Sequence, residues 1–423
     1  MIVSHVSVLF LSFVGVIGTL LFLDFLYQCA IALSYVGKSS PLPSSPAATR
    51  FAVLIPAHNE ESVIVPLLES LKEQKYPAGL VDVYVSCDDC TDATAALARE
   101  RGAKVLLRHD PKRRGKTWNV RWALAHIPLD GVDAVAVFDA DNLAAPDFLS
   151  KMNDFLVIHP EAKAIQGYLD VKNPTDSWVT RAYAVGYWFT NRFWQAARDH
   201  VGLSCALGGT GLVVRTSTFL KLTERIESLT EDLEMTAMLV LAGERVFWNE
   251  SAVVYDEKPV ALRPSMRQRL RWMQGHYWVL GKYGPKALRL FATTRRLRYL
   301  DLVLYLLVPL KLCLSIFVLA AAVYAEWVPG ILKTPQGFAA FFSFPVIYTI
   351  AASVLGPSIR NERLDLTYLR FFPTFLFYGL TWLPLVFRAL FTARNQGVWV
   401  ATRHNRDIDI AEIAKAPASR QNG

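Results

Sequence analysis

Three short acidic stretches hold the residue types most able to do chemistry. DAD at 139–141 sets two carboxylates, Asp139 and Asp141, two positions apart just after the apolar run AVAVF. Hard oxygen ligands of this kind suit Mg²⁺ or Mn²⁺, and Mg²⁺ is commonly shared between one or two carboxylates and the phosphates of a substrate. Standing alone, the same tripeptide is equally a solvated acidic turn. Upstream, CDDC at 87–90 poses a choice. Cys87 and Cys90 could be a redox dithiol or half a zinc site, or the carboxylates of Asp88 and Asp89 could be the functional pair. Cys29, Cys205 and Cys313 form no second close pair, and His109 and His126 lack the spacing of a ligand couple, so a four-ligand zinc site has no partners. So few, scattered cysteines also argue against a disulfide framework. Third, LTEDLEM at 229–235 presents Glu231 and Asp232 at an expected helix start. There an acid is either a partner of the helix dipole or, if it lines the same pocket, a general base.

Neither a G-x4-GK-[ST] loop nor a G-x-G-x-x-G fingerprint opens a helix here, which disfavours an ATPase or a dehydrogenase. Phosphate charge would instead be met by a metal and by basic residues such as the cluster Lys112, Arg113, Arg114 and Lys116. Further on, RPSMRQRLRWMQGHYW (263–278) has two faces at helical spacing. Met266, Leu270, Met273, Tyr277 and Leu280 make an apolar one; Gln268, Arg271, Trp272 and Gly275 fall at i, i+3, i+4, i+7 and make another. From Arg263 to Arg298 there are ten Lys or Arg and no Asp or Glu. Such a strip before a membrane segment suits an anionic cytoplasmic leaflet. It is a poor nucleic-acid footprint because it abuts that segment.

The elements that must position these residues are legible from the hydrophobic pattern. FAVLIP (51–56), VDVYVS (81–86), AKVLLR (103–108) and AVAVFD (134–139) are expected strands, and 61–73, 91–101 and 116–126 are expected helices. Strand–helix alternation predicts a parallel sheet with helices on both faces. Ligands of open α/β sheets bind beyond the carboxyl ends of the strands. Those ends carry PAHNE (56–60), CDDCTD (87–92) and DADN (139–142), so the acidic loops should converge on one sheet edge.

The chain of 423 residues is 52% hydrophobic and 19% charged, with net charge +8. Residues 6–23 carry no charge, and the apolar stretch continues past Asp24 to about Val36. That is long enough to cross a membrane, which takes roughly 20 residues. No basic residue precedes the run, which also exceeds a signal-peptide core of about 7–15 residues. Further apolar stretches at 302–325, 338–355 and 371–391 are interrupted by Lys311, Pro345, and Pro373 with Pro384. The pattern is that of a membrane protein.

Taken in order, PAHNE, CDDCTD, DAD, TED (230–232) and QRLRW (268–272) resemble the motifs of membrane-integrated family 2 glycosyltransferases. That group contains cellulose, hyaluronan, chitin-oligosaccharide and poly-N-acetylglucosamine synthases. The resemblance implies an α/β fold: a GT-A-like parallel-sheet nucleotide-sugar domain with transmembrane helices and amphipathic interface helices. It also implies roles. Asp88 and Asp89 would contact the uridine of a UDP-sugar, and Asp139 and Asp141 would hold a Mg²⁺ or Mn²⁺ ion with the diphosphate. Asp232 would be the catalytic base, with Glu231 the next candidate. Gln268, Arg271 and Trp272 match Q-x-x-R-W, where Arg contacts diphosphate and Trp supports the acceptor. Lys116 would help bind the donor, Gly209 in LGGTG lies where the family has an acceptor-side loop, and Trp399, Thr402 and Arg403 resemble a gating W-x-x-T-x-R. The implied reaction is an inverting β-glycosyl transfer onto a growing polysaccharide or oligosaccharide.

This organisation divides the chain into an amino-terminal membrane helix (1–36), a Pro/Ser-rich linker (37–49), a cytoplasmic catalytic domain (50–262), interface helices (263–300), membrane segments (301–391) and a tail (392–423). One amino-terminal span and about three later ones are fewer than many polymer synthases have. A secretion channel would need a partner or a homo-oligomer, and single transfer to a lipid-linked acceptor is the alternative. A non-catalytic membrane scaffold would show an eroded carboxylate motif, and none is missing. The expected location is the inner or plasma membrane, multi-pass, with 371–391 re-entrant or interfacial and the tail returned to the cytoplasm.

Overall fold

A computed structural model describes residues 2–35, 42–324, 349–359, 364–395 and Ile410. Eight strands form one sheet in the order β3-β2-β1-β4-β7-β6-β8-β5. They are β1 (Phe51–Ala57), β2 (Val81–Asp88), β3 (Lys104–Arg108), β4 (Ala134–Val137), β5 (Leu143–Ala144), β6 (Ala164–Val171), β7 (Leu212–Arg215) and β8 (Val246–Asp256). Strand β1 shows why the apolar runs become central strands. Phe51, Val53, Ile55 and Ala57 enter one core with Ile64, Leu67, Leu68 and Leu71 of the Ile64–Lys72 helix. Ala52 and Leu54 enter the core on the other face with Val120, Ala123 and Leu124 of the Lys116–Leu124 helix. A strand covered on both faces has no polar side, so its sequence is continuously apolar.

The first four strands are parallel, with Val53 opposite both Val83 and Ala136. The sheet is mixed beyond them: β7 runs antiparallel to both β4 and β6, and β5 antiparallel to β8. The chain reaches β7 through LGGTG on the carboxyl edge of β4, where the Gly211 amide bonds the Val137 carbonyl at 2.9 Å. From there the strand can only run back down the sheet. Gly209 and Gly211 make the turn at φ of 83° and 57°, conformations that cost glycine little.

Among the described residues two helices, Ser12–Ser34 and Leu366–Thr392, are long and apolar enough to cross a membrane. The Leu297–Leu306 and Val308–Val318 helices could make a third span, but they bend by 64° where they meet. That bend falls at Leu307, two residues before Pro309 of the Val308–Tyr324 helix. Pro373 and Pro384 sit in the first turns of their own helices, where the missing N–H has no intrahelical partner to lose. By length and composition the Leu366–Thr392 segment is able to span a membrane. The charges that break the apolar runs are paired: Lys311 Nζ lies 2.6 Å from Asp24 Oδ2. Beside them Tyr27 donates to Asp301 at 3.1 Å and Arg198 to Gln28 at 2.7 Å. Pairing is how ionisable groups persist in apolar segments, and here it ties the first helix to the domain carrying the sheet.

One helix, Leu262–Thr294, carries the basic strip and ends at Arg295, whose φ is 57°. Met273 and Tyr277 on its apolar face pack with Cys313, Val386 and Ala389 from the apolar helices.

Candidate active site

The carboxyl ends of β1, β2 and β4 meet as expected, and the loops on them are laced together. The Asn59 carboxamide accepts from the Thr91 amide at 2.8 Å, and the Glu61 carboxylate accepts from the Ala93 amide at 2.9 Å. Cys87 and Cys90 are free thiols, and Cys90 Sγ bridges the two loops, donating to the Ala57 carbonyl at 3.6 Å and accepting from the Asn59 amide at 3.4 Å. The thiols serve loop packing. The carboxylates between them face charged partners. Buried Asp88 pairs with Arg108, whose other nitrogen donates to the Arg113 carbonyl at 2.7 Å. Burial raises the Asp88 pKa although Arg108 works against it. Asp89, at φ 50°, lies 2.5 Å from His109 Nδ1 and 3.4 Å from Arg114 Nε. Asp88 and Asp89 thus meet different basic partners.

The second cluster centres on Lys116, the first residue of its helix. Its ammonium donates to the Gly209 carbonyl at 2.7 Å and lies 2.5 Å from Asp139 Oδ1 and 3.4 Å from Glu231 Oε1. Burial opposes the charge, yet Asp139 and Glu231 outweigh it and hold the Lys116 pKa above its usual value. A β-carbon on Gly209 would stand 3.4 Å from Asp232 Oδ2 and 3.6 Å from Lys116 Nζ. Asp139, Gly209, Glu231, Asp232 and Lys116 thus share one site. Burial, then repulsion from Glu231, pushes the Asp232 carboxyl up to about 7. A carboxylate poised there is matched to accepting a proton at neutral pH.

Asp141 is buried, and its Oδ1 accepts from the Asn142 carboxamide at 3.3 Å. Among the described residues no group of three His, Cys, Asp or Glu gathers as a closed metal cage. The donor set of Asp139 and Asp141 fits Mg²⁺ or Mn²⁺ completing its shell with phosphate oxygens and water.

On the Gln268 face of the Leu262–Thr294 helix, Gly275 packs against Thr230, the residue before Glu231. Gln268 accepts from the Tyr183 hydroxyl at 3.1 Å. Trp272 meets the Tyr183 ring edge-on at 6.3 Å and lies over Trp382 at 6.5 Å. Arg271 is half-buried. Trp399, Thr402 and Arg403 fall outside the described residues.

Several positioning residues escaped the sequence reading. Arg108 and Glu234 are two: Glu234 is fully buried, accepts from the Glu227 and Ser228 amides at 2.8 and 2.7 Å, and receives Tyr283 and Lys282 of the long helix at 2.7 and 3.0 Å. Its place in the first turn of a helix was the only available signal.

A family model described as glycosyltransferase-like family 2 matches residues 46–275, more than half of the chain. The chain belongs to glycosyltransferase family 2. It is 28% identical over 257 residues to an N-acetylglucosaminyltransferase of Rhizobium leguminosarum bv. viciae, covering 57% of this chain and 57% of that one. The chain thus spans little more than half the length of that relative. A probable glycosyltransferase of Bacillus subtilis, YdaM, is 24% identical over 352 residues, covering 81% and 82%. Among solved structures, the mannosyltransferase PcManGT of Pyrobaculum calidifontis, in complex with GDP-mannose and Mn²⁺, superposes with TM-score 0.55 at 22% identity, covering 86% of this chain and 99% of that one. This likeness shows the shared GT-A fold.

Proposed function

We propose that this family 2 glycosyltransferase moves a sugar from a UDP-sugar to an acceptor hydroxyl at a membrane surface, with inversion, and that it builds a polysaccharide or oligosaccharide. The observation that carries the reading is the meeting of Asp232, poised at about pH 7, with Lys116 and Asp139, which the ammonium bridges. Asp88 and Asp89 would hold the uridine, and Arg271 with Lys116 the diphosphate. When bound, Mg²⁺ or Mn²⁺ on Asp139 and Asp141 would neutralise charge on the phosphate oxygens.

Asp232 takes the proton of the acceptor hydroxyl. The freed oxygen attacks the anomeric carbon from the face opposite the diphosphate; the bond to phosphate breaks and UDP leaves with its electron pair. One displacement inverts the centre, so an α-linked donor yields a β-glycoside. Trp272, with Tyr183 beside it, offers an apolar face to an acceptor sugar. The two candidate spans and the Asp24–Lys311 pairing support a membrane-bound enzyme, and the basic strip supports a cytoplasmic catalytic domain.

Product analysis with a panel of UDP-sugars, with and without EDTA, tests the reading. A β-linked oligomer released with UDP, abolished by EDTA and restored by Mn²⁺ or Mg²⁺, is the expected outcome. A single sugar on a lipid would establish the lipid-acceptor alternative, and no UDP release from any donor would defeat the proposal.

A further inference from the structure

Asn142 is fully buried and sits directly after DAD. Its carboxamide uses every hydrogen-bonding position it has. Oδ1 accepts from the Asp139 amide at 3.1 Å and from the Thr210 hydroxyl. Nδ2 donates to Asp141 Oδ1 at 3.3 Å and to Asp256 Oδ1 at 3.2 Å. The orientation of the amide is dictated by its partners: an N–H faces one end and two carboxylates face the other. Thr210 closes the arrangement, its Oγ1 also accepting from the Asp139 amide at 3.0 Å.

A buried asparagine in a turn is commonly only a turn former, and the Asn142 amide does bond the Asp139 carbonyl at 3.1 Å. That role needs no donor aimed at a carboxylate. Here both Nδ2 donors end on carboxylates, one from the D-x-D pair and one from the end of β8. We infer that Asn142 is the positioning residue of the divalent-cation site: it fixes the backbone of Asp139 and the carboxylate of Asp141, and holds Asp256 beside them. The inference rests on the proposed use of Asp139 and Asp141 as metal ligands. Before a cation arrives the two carboxylates repel each other, and a rigid amide donor steadies them without adding charge. Outer partners of this kind typically change metal affinity by about 10–100-fold when lost.

The test is Mn²⁺ binding rather than turnover. Full-length protein in detergent with saturating UDP is titrated with Mn²⁺, and free ion is read by electron paramagnetic resonance. Wild type should take up one ion per chain. Asn142→Ala should bind it about 10–100-fold more weakly, with UDP affinity measured in EDTA close to wild type and a lowered thermal midpoint. Thr210→Val, equal in volume, should weaken Mn²⁺ less, and it decides the matter if Asn142→Ala does not fold. Mn²⁺ uptake by wild type alongside unchanged affinity in the folded variants would overturn the inference alone. No uptake by wild type would remove the metal reading itself, and this inference with it.

Discussion

Gly275 of the long interface helix lies so close to Thr230 that a β-carbon on it would stand 2.0 Å from Thr230 Oγ1. Glycine there lets the helix backbone touch the residue before Glu231 and Asp232, joining the Q-x-x-R-W face to the proposed base. Gly275→Ala should therefore force the two apart. Overpacking of this kind costs about 1–3 kcal/mol, and we expect a lower thermal midpoint together with lost sugar transfer. Full transfer by Gly275→Ala would show that this close approach is dispensable.

Asp232→Asn should separate binding from chemistry. It removes the proton acceptor while keeping the shape of the site, so UDP affinity should persist while turnover falls by about 10²–10⁴-fold, the usual worth of general-base catalysis. Isothermal titration with UDP and a single-turnover assay measure the two quantities. Substantial transfer by this variant would move the base to Glu231.

The pH profile follows from the same carboxyl. Asp232 accepts a proton only when ionised, and burial with Glu231 nearby pushes it up to about 7. Activity should rise with pH through about 7 and level off above it. Glu231→Gln removes one of the two raising causes, so the acidic limb should move to lower pH. A limb that stays in place in Glu231→Gln would mean that another group controls it.

Topology is open to direct labelling. A cysteine placed near position 410, in a chain otherwise free of cysteine, should react from the cytoplasmic side in sealed vesicles if the tail acts at the donor site. Reaction only from outside would show that the Leu366–Thr392 segment crosses completely and would exclude Trp399 and Arg403 from gating.

The convergence of the acidic loops was legible in the sequence because it follows from local order. Strands read as continuously apolar runs, parallel connections place their carboxyl ends on one edge, and residues just past those ends meet whatever the details of packing. Hence Asp88 and Asp139 could be assigned to one edge from their neighbours alone, whereas Asp232, in the first turn of a helix, could not. What tertiary structure decided lies between residues far apart in the chain. The reversal of β7 depends on where a long excursion re-enters the sheet. The pairing of Asp24 with Lys311, and of Asn142 with Thr210 and Asp256, joins side chains that no period or spacing connects. Sequence pattern reports the face a residue turns to its own element; only packing determines which distant partner waits there.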